Sequence, residues 1–93
     1  MHFLYIVYSK KIDKFYVGET QNLENRILQH NSHYFSKNFT KAADDWKIVL
    51  HFKLANREEA LFLEKFIKRM KSRVFIKKII DSPEILKNIL SNR

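Results

Sequence analysis

Two short runs rich in aromatic and β-branched residues, Phe3–Tyr8 (FLYIVY) and Phe15–Gly18 (FYVG), stand on either side of the polar stretch Ser9–Lys14. Such runs favour extended backbone, and so short a link suits a tight reversal, so the chain is expected to open with an antiparallel hairpin. A third strand is expected over Trp46–Leu54, where Trp46, Ile48, Leu50 and Phe52 alternate with Lys47, Val49, His51 and Lys53 and leave one face wetter than the other.

Helical patterns fill the remainder. Asn22 has the chemistry of an N-cap, Glu24 falls in the first turn, and Leu23, Ile27 and Tyr34 recur at helical spacing in a segment that frays near Asn31–His33. Tyr34–Asp45 shows no clean period and reads as a loop with one helical turn at most. Asn56 followed by Glu59 resembles a capping pair, ahead of an apolar stripe of Ala60, Leu63, Ile67 and Met70, widened by Phe66, that runs to about Ser72. A short helix fits Val74–Ile80, and Ser82-Pro83-Glu84 has the order of a helix start for a tail helix over about residues 82–91. The expected order is ββαβαα, an α+β domain built on a small three-stranded antiparallel sheet flanked by helices.

Composition bounds what such a domain can do. At 93 residues one domain is expected, and a separate specificity domain does not fit. No cysteine is present, which removes thiolate zinc sites and disulfide-stapled scaffolds. The apolar run Phe3–Tyr8 is too short for a signal-peptide core or a bilayer span, so a soluble, cytoplasmic protein with no membrane partner is the expectation. With 18 Lys+Arg against 10 Asp+Glu, the formal charge of +8 favours a polyanionic partner.

Several residues sit where an ordinary core would not place them. Leu23, Arg26, Ile27 and His30 share one helical stripe, so a guanidinium and an imidazole occupy slots usually held by aliphatics. A buried guanidinium needs a partner or a cleft that receives an anion; the alternative is an Arg that snorkels from the edge of the face beside a hydrogen-bonded core His. Glu64 borders the second helix's apolar stripe, four residues before Lys68, and is either half of a solvated ion pair or an oxygen ligand for a hard divalent cation. Gly18, the single glycine, ends a strand just ahead of a helix, as a turn or bulge residue or as a point of close approach. Tyr5 and Tyr16 lie on neighbouring strands and can share a face. His2, His33 and His51 show no metal-ligand spacing.

Taken together, Phe3-Leu4-Tyr5, Tyr16-Val17-Gly18, Arg26, His30 and the helical Glu64 resemble the motifs of the GIY-YIG nuclease domain over roughly residues 3–78. The chain is closest in style to small standalone bacterial members, and the resemblance implies functional groups converging on one side of the sheet. It further implies a divalent-metal-dependent endonuclease acting on DNA, with Glu64 holding Mg2+ or Mn2+. Arg26 would stabilise transition-state charge, Tyr5 would act as base, Tyr16 would orient water or phosphate, and His30 would accept or relay a proton. A tyrosine base implies an alkaline optimum.

Beside that site, Lys65, Lys68, Arg69, Lys71 and Arg73 begin a basic run, extended by Lys77 and Lys78 and free of acids. Together with Gly18 they are the expected substrate-binding residues, giving DNA affinity with little sequence specificity. Two departures from the family pattern, Glu19 in place of a lysine and Ile76 in place of an asparagine, motivate the runner-up: a nucleic-acid-binding module of the same fold with impaired catalysis. A basic face for an acidic protein partner is a third, weaker reading.

Overall fold

A computed structural model of the protein describes residues 1–32 and 43–93. The loop expected from Tyr34 lies mostly outside the described residues, as do His33 and the placement of Tyr34 on the first helix. The described elements are β1 (His2–Ser9), β2 (Lys14–Thr20), α1 (Leu23–Asn31), β3 (Lys47–Leu54), α2 (Arg57–Met70), α3 (Arg73–Asp81) and α4 (Glu84–Ser91). Three strands form one antiparallel sheet in the order β2-β1-β3, as the sequence predicts. Three helices follow β3, because the short segment after α2 is a full helix capped by Ser72, whose Oγ accepts from the Phe75 N–H at 3.1 Å.

The central strand β1 is buried on both faces, with Leu4, Tyr5, Ile6 and Val7 each 2% exposed or less. One face is aliphatic: Leu4, Ile6, Val17, Leu50 and Leu54 pack against Ala60, Leu63 and Ile67 of α2, Ile79 of α3 and Leu86 of α4. The other carries Tyr5 and Val7 against Trp46, Ala43, Tyr16, Ile48 and the Leu23 and Ile27 side chains of α1.

In β3 the simple alternation fails. Ile6 pairs with Leu50 but Val7 pairs with Ile48, so Val49 is an extra residue in the ladder. This bulge sends Ile48 to the aromatic face while Leu50 stays on the aliphatic one.

The helix ends follow local chemistry. Asn22 and Asn56 cap α1 and α2 through their side-chain oxygens, accepting from the N–H groups of Asn25 and Glu59 at 3.0 Å each. Glu59 reaches back to accept from the Ala55 N–H. Helix α2 stops at Met70, two residues earlier than expected, with Lys71 in the left-handed region at φ 48°. Met70 is exposed rather than part of the apolar stripe.

Ser82 does not cap α4 with its side chain. Its N–H closes α3 on the Lys78 carbonyl, Pro83 already has helical dihedrals, and the first turn of α4 is made by the Ser82 and Pro83 carbonyls accepting from Ile85 and Leu86.

Candidate active site

Gly18 and Tyr5 are register partners across β2 and β1. A Cβ at residue 18 would stand 2.5 Å from the Tyr5 hydroxyl and 2.7 Å from the ring carbon that bears it. No positive φ is involved, so neither a turn nor a bulge explains this glycine. Its missing side chain is the space in which the Tyr5 phenol lies across the edge strand.

The phenol is then tied to α1. Tyr5 Oη lies 2.8 Å from His30 Nε2, and the two residues are 2% and 1% exposed. The Tyr16 ring stands edge-on to the His30 imidazole at 5.0 Å between centroids, so both tyrosines meet one histidine. This places His30, one turn beyond Arg26, among the side chains of the sheet's aromatic face.

Burial is the main influence on both titrating groups of the pair. It pushes the Tyr5 phenol well above its ordinary value; the Arg26 charge opposes this, while Tyr16, Glu64 and Glu19 add to it. Burial, and then the Arg26 charge, lowers the His30 imidazole to about 4. Near neutral pH the resting pair is therefore a neutral phenol and a neutral imidazole joined by a hydrogen bond. Arg26 alone does not ionise Tyr5 in this state, because desolvation outweighs it.

Tyr5 is close enough to feel the charges of Arg26 on α1, Glu19 on β2 and Glu64 on α2. Arg26 is half-buried and lines a polar cleft of about 340 Å³ with His2, Glu19, Thr20, Gln21 and Arg57, the cleft rather than the snorkelling arrangement. Glu64 is on the flank of α2 that turns toward the open edge of β2. Its carboxylate accepts from Lys68 Nζ at 2.7 Å, and that ammonium lies 5.3 Å from the centre of the Tyr16 ring.

The basic run divides. Lys68, Lys71 and Arg73 line a groove of about 430 Å³ between β2 and helices α2 and α3, joined there by Lys14 and Tyr16. Arg73 is bonded to the Asp13 carbonyl and carboxylate and lies over the Phe15 ring, so it also pins the hairpin to α3. Lys65 and Arg69 are exposed on the outward face of α2, away from this groove. Ile76 adds an apolar wall to the groove where the family pattern has an amide.

Sequence reasoning missed two features. Glu19 is screened rather than bare: its carboxylate lies 3.1 Å from His2 Nε2 and 3.5 Å from Arg57 Nε. Asn31 fastens the His30 end of α1 to the chain entering β3, donating to the Trp46 carbonyl at 3.0 Å and accepting from its N–H at 2.7 Å. An asparagine in a last helical turn carries no mark of a partner fifteen positions away.

Among the described residues no group of three or more His, Cys, Asp or Glu is arranged to hold a metal ion. A hard divalent cation does not need one, since a single carboxylate with water and substrate phosphate completes its shell. Glu64 is a hard oxygen donor of that kind, and one of its oxygens is paired with the Lys68 ammonium, which a cation binding there would have to displace.

A model of the GIY-YIG catalytic domain matches residues 1–79. The chain belongs to the GIY-YIG family. This assigns it nuclease-type chemistry in general, and the three-stranded antiparallel sheet has the expected order. Searches of curated proteins and of solved structures return no match. No helix among the described residues is long and apolar enough to cross a membrane.

Proposed function

We propose that this GIY-YIG protein is a divalent-metal-dependent endonuclease that hydrolyses DNA phosphodiester bonds with little sequence specificity. The observation that carries the reading is the Tyr5–His30 hydrogen bond, made in the space left by Gly18 and within electrostatic reach of both Arg26 and Glu64.

In this mechanism the scissile phosphate docks on Arg26, whose planar guanidinium matches phosphate oxygens and neutralises charge as the pentavalent transition state forms. Pairing Arg26 with an anion also weakens its depressing effect on His30, which makes the imidazole a better proton acceptor. As water attacks phosphorus, its proton passes to Tyr5 Oη while the phenolic proton passes to His30 Nε2, and the bond to the 3′ oxygen breaks. Tyr16 orients the attacking water. Glu64 would hold Mg2+ or Mn2+, which supplies Lewis-acid stabilisation to the phosphate and leaving oxygen. Lys68, Lys71 and Lys14 meet backbone charge rather than base edges, which gives affinity without sequence readout.

Ile76 in the groove favours one second reading, a DNA-binding module with impaired turnover. Nicking of supercoiled plasmid with Mg2+ or Mn2+ separates the two. Loss of nicking in Glu64→Ala and Arg26→Ala with DNA binding retained supports the nuclease; binding without any nicking by the unmodified protein supports the module.

A further inference from the structure

The polar cleft that Arg26 lines is otherwise built from residues that the proposed reaction leaves unused. Arg57, at the first position of α2, has its Nε 3.5 Å from a Glu19 oxygen, an ion pair rather than a hydrogen bond, and its side chain is 66% exposed. Glu19 is by contrast only 16% exposed, and its other oxygen lies 3.1 Å from His2 Nε2 but makes no hydrogen bond among the described residues. Two guanidiniums, Arg26 and Arg57, against one carboxylate leave the cleft net positive.

We infer that this cleft is a second phosphate subsite, in which Arg57, paired with Glu19, grips a backbone phosphate next to the one bound at Arg26. The inference rests on the nuclease reading and names how that site takes its substrate. An ion pair at Nε narrows the range over which the guanidinium moves, so less entropy is lost when its terminal nitrogens bind phosphate than for a side chain with no such partner. Glu19 is thus a positioning residue: an acid beside an anion site is tolerated because it orients a cation.

The test uses Glu64→Gln protein, which binds without turnover, and short DNA duplexes in which one phosphate at a time is replaced by an uncharged methylphosphonate. At one linkage the replacement weakens binding about tenfold; Arg57→Ala weakens unmodified duplex by a similar factor, and the two changes together cost no more than either alone. The slope of log Kd against log salt falls by about 0.9 in Arg57→Ala, the signature of one lost phosphate contact. Arg57→Lys restores the slope and only part of the affinity. Glu19→Gln reduces the coupling at that linkage although it raises the net positive charge; tighter binding in Glu19→Gln would overturn its positioning role. An unchanged slope, or no linkage coupled to Arg57, overturns the subsite while leaving the nuclease reading standing. Failure of the Glu64→Gln protein to bind any duplex sinks both.

Discussion

The two faces of the sheet are made from the same three strands and do different work. The face toward α2, α3 and α4 is filled by Leu, Ile, Val and Ala side chains, and its contribution is burial of apolar surface. The face toward α1 is filled by Tyr5, Tyr16, Trp46 and His30, with a hydrogen bond at its centre and one residue whose lack of a side chain makes the room. An aliphatic face tolerates any arrangement of about the right volume, whereas an aromatic and polar face holds hydroxyls and imidazoles in fixed directions. Reactive groups belong on the second kind.

Substitutions that break one face and spare the other give the largest effects. Gly18→Ala drives a methyl into the Tyr5 phenol, and plasmid nicking should fall by about a hundredfold or more, since displacement of about 1 Å at a reacting group costs that much. Leu63→Ala on the opposite face should lower the denaturant-derived stability by about 2–5 kcal/mol while nicking per folded molecule stays within a few-fold. Equal loss of both properties in the two variants would erase the distinction.

Acid titration sharpens the comparison next. His30 binds its proton near pH 6.5 when unfolded and near 4 when folded, so the unfolded state takes up more protons and stability falls as pH drops from 6.5 toward 4. The loss is on the order of 3 kcal/mol. It should be absent in His30→Gln, measured by urea midpoints across that range. Activity should not decline between pH 7 and 6 through this group, and an optimum near pH 6 would argue against the Tyr5 route.

Smaller effects probe the supports. Asn31→Ala removes both bonds to the Trp46 backbone, which should cost about 1–3 kcal/mol and mobilise the His30 end of α1, read as faster amide exchange there. Lys68→Met removes the ammonium that competes for the Glu64 carboxylate. Mn2+ binding, followed by paramagnetic broadening, should tighten by a few-fold at most, because a partly exposed ion pair contributes about 1 kcal/mol or less. Weaker Mn2+ binding would show that Lys68 orients Glu64 instead.

How much of this was legible beforehand follows from what each residue disturbs. Arg26, His30 and Glu64 interrupt apolar stripes, so the sequence marks them; Tyr5 and Tyr16 are marked by strand neighbours and by the family motif. Why Gly18 is a glycine was not readable, because the reason is a ring on another strand. Glu19 was legible only as a charge of the wrong sign, since the residues that screen it, His2 and Arg57, come from far along the chain. The bulge at Val49 was hidden for a similar cause. Within Trp46–Leu54 every odd or even choice keeps an alternation of sorts, and only pairing with β1 shows where the count slips.

That slip has an evolutionary corollary. Because a single surplus residue in β3 delivers Ile48 and Leu50 to opposite sides, the strand's length acts as a frame shared by two cores, and descendants of this chain can exchange its side chains far more readily than they can gain or lose a codon between Lys47 and Leu50. Insertions and deletions should therefore be purged from this stretch even where neighbouring positions drift.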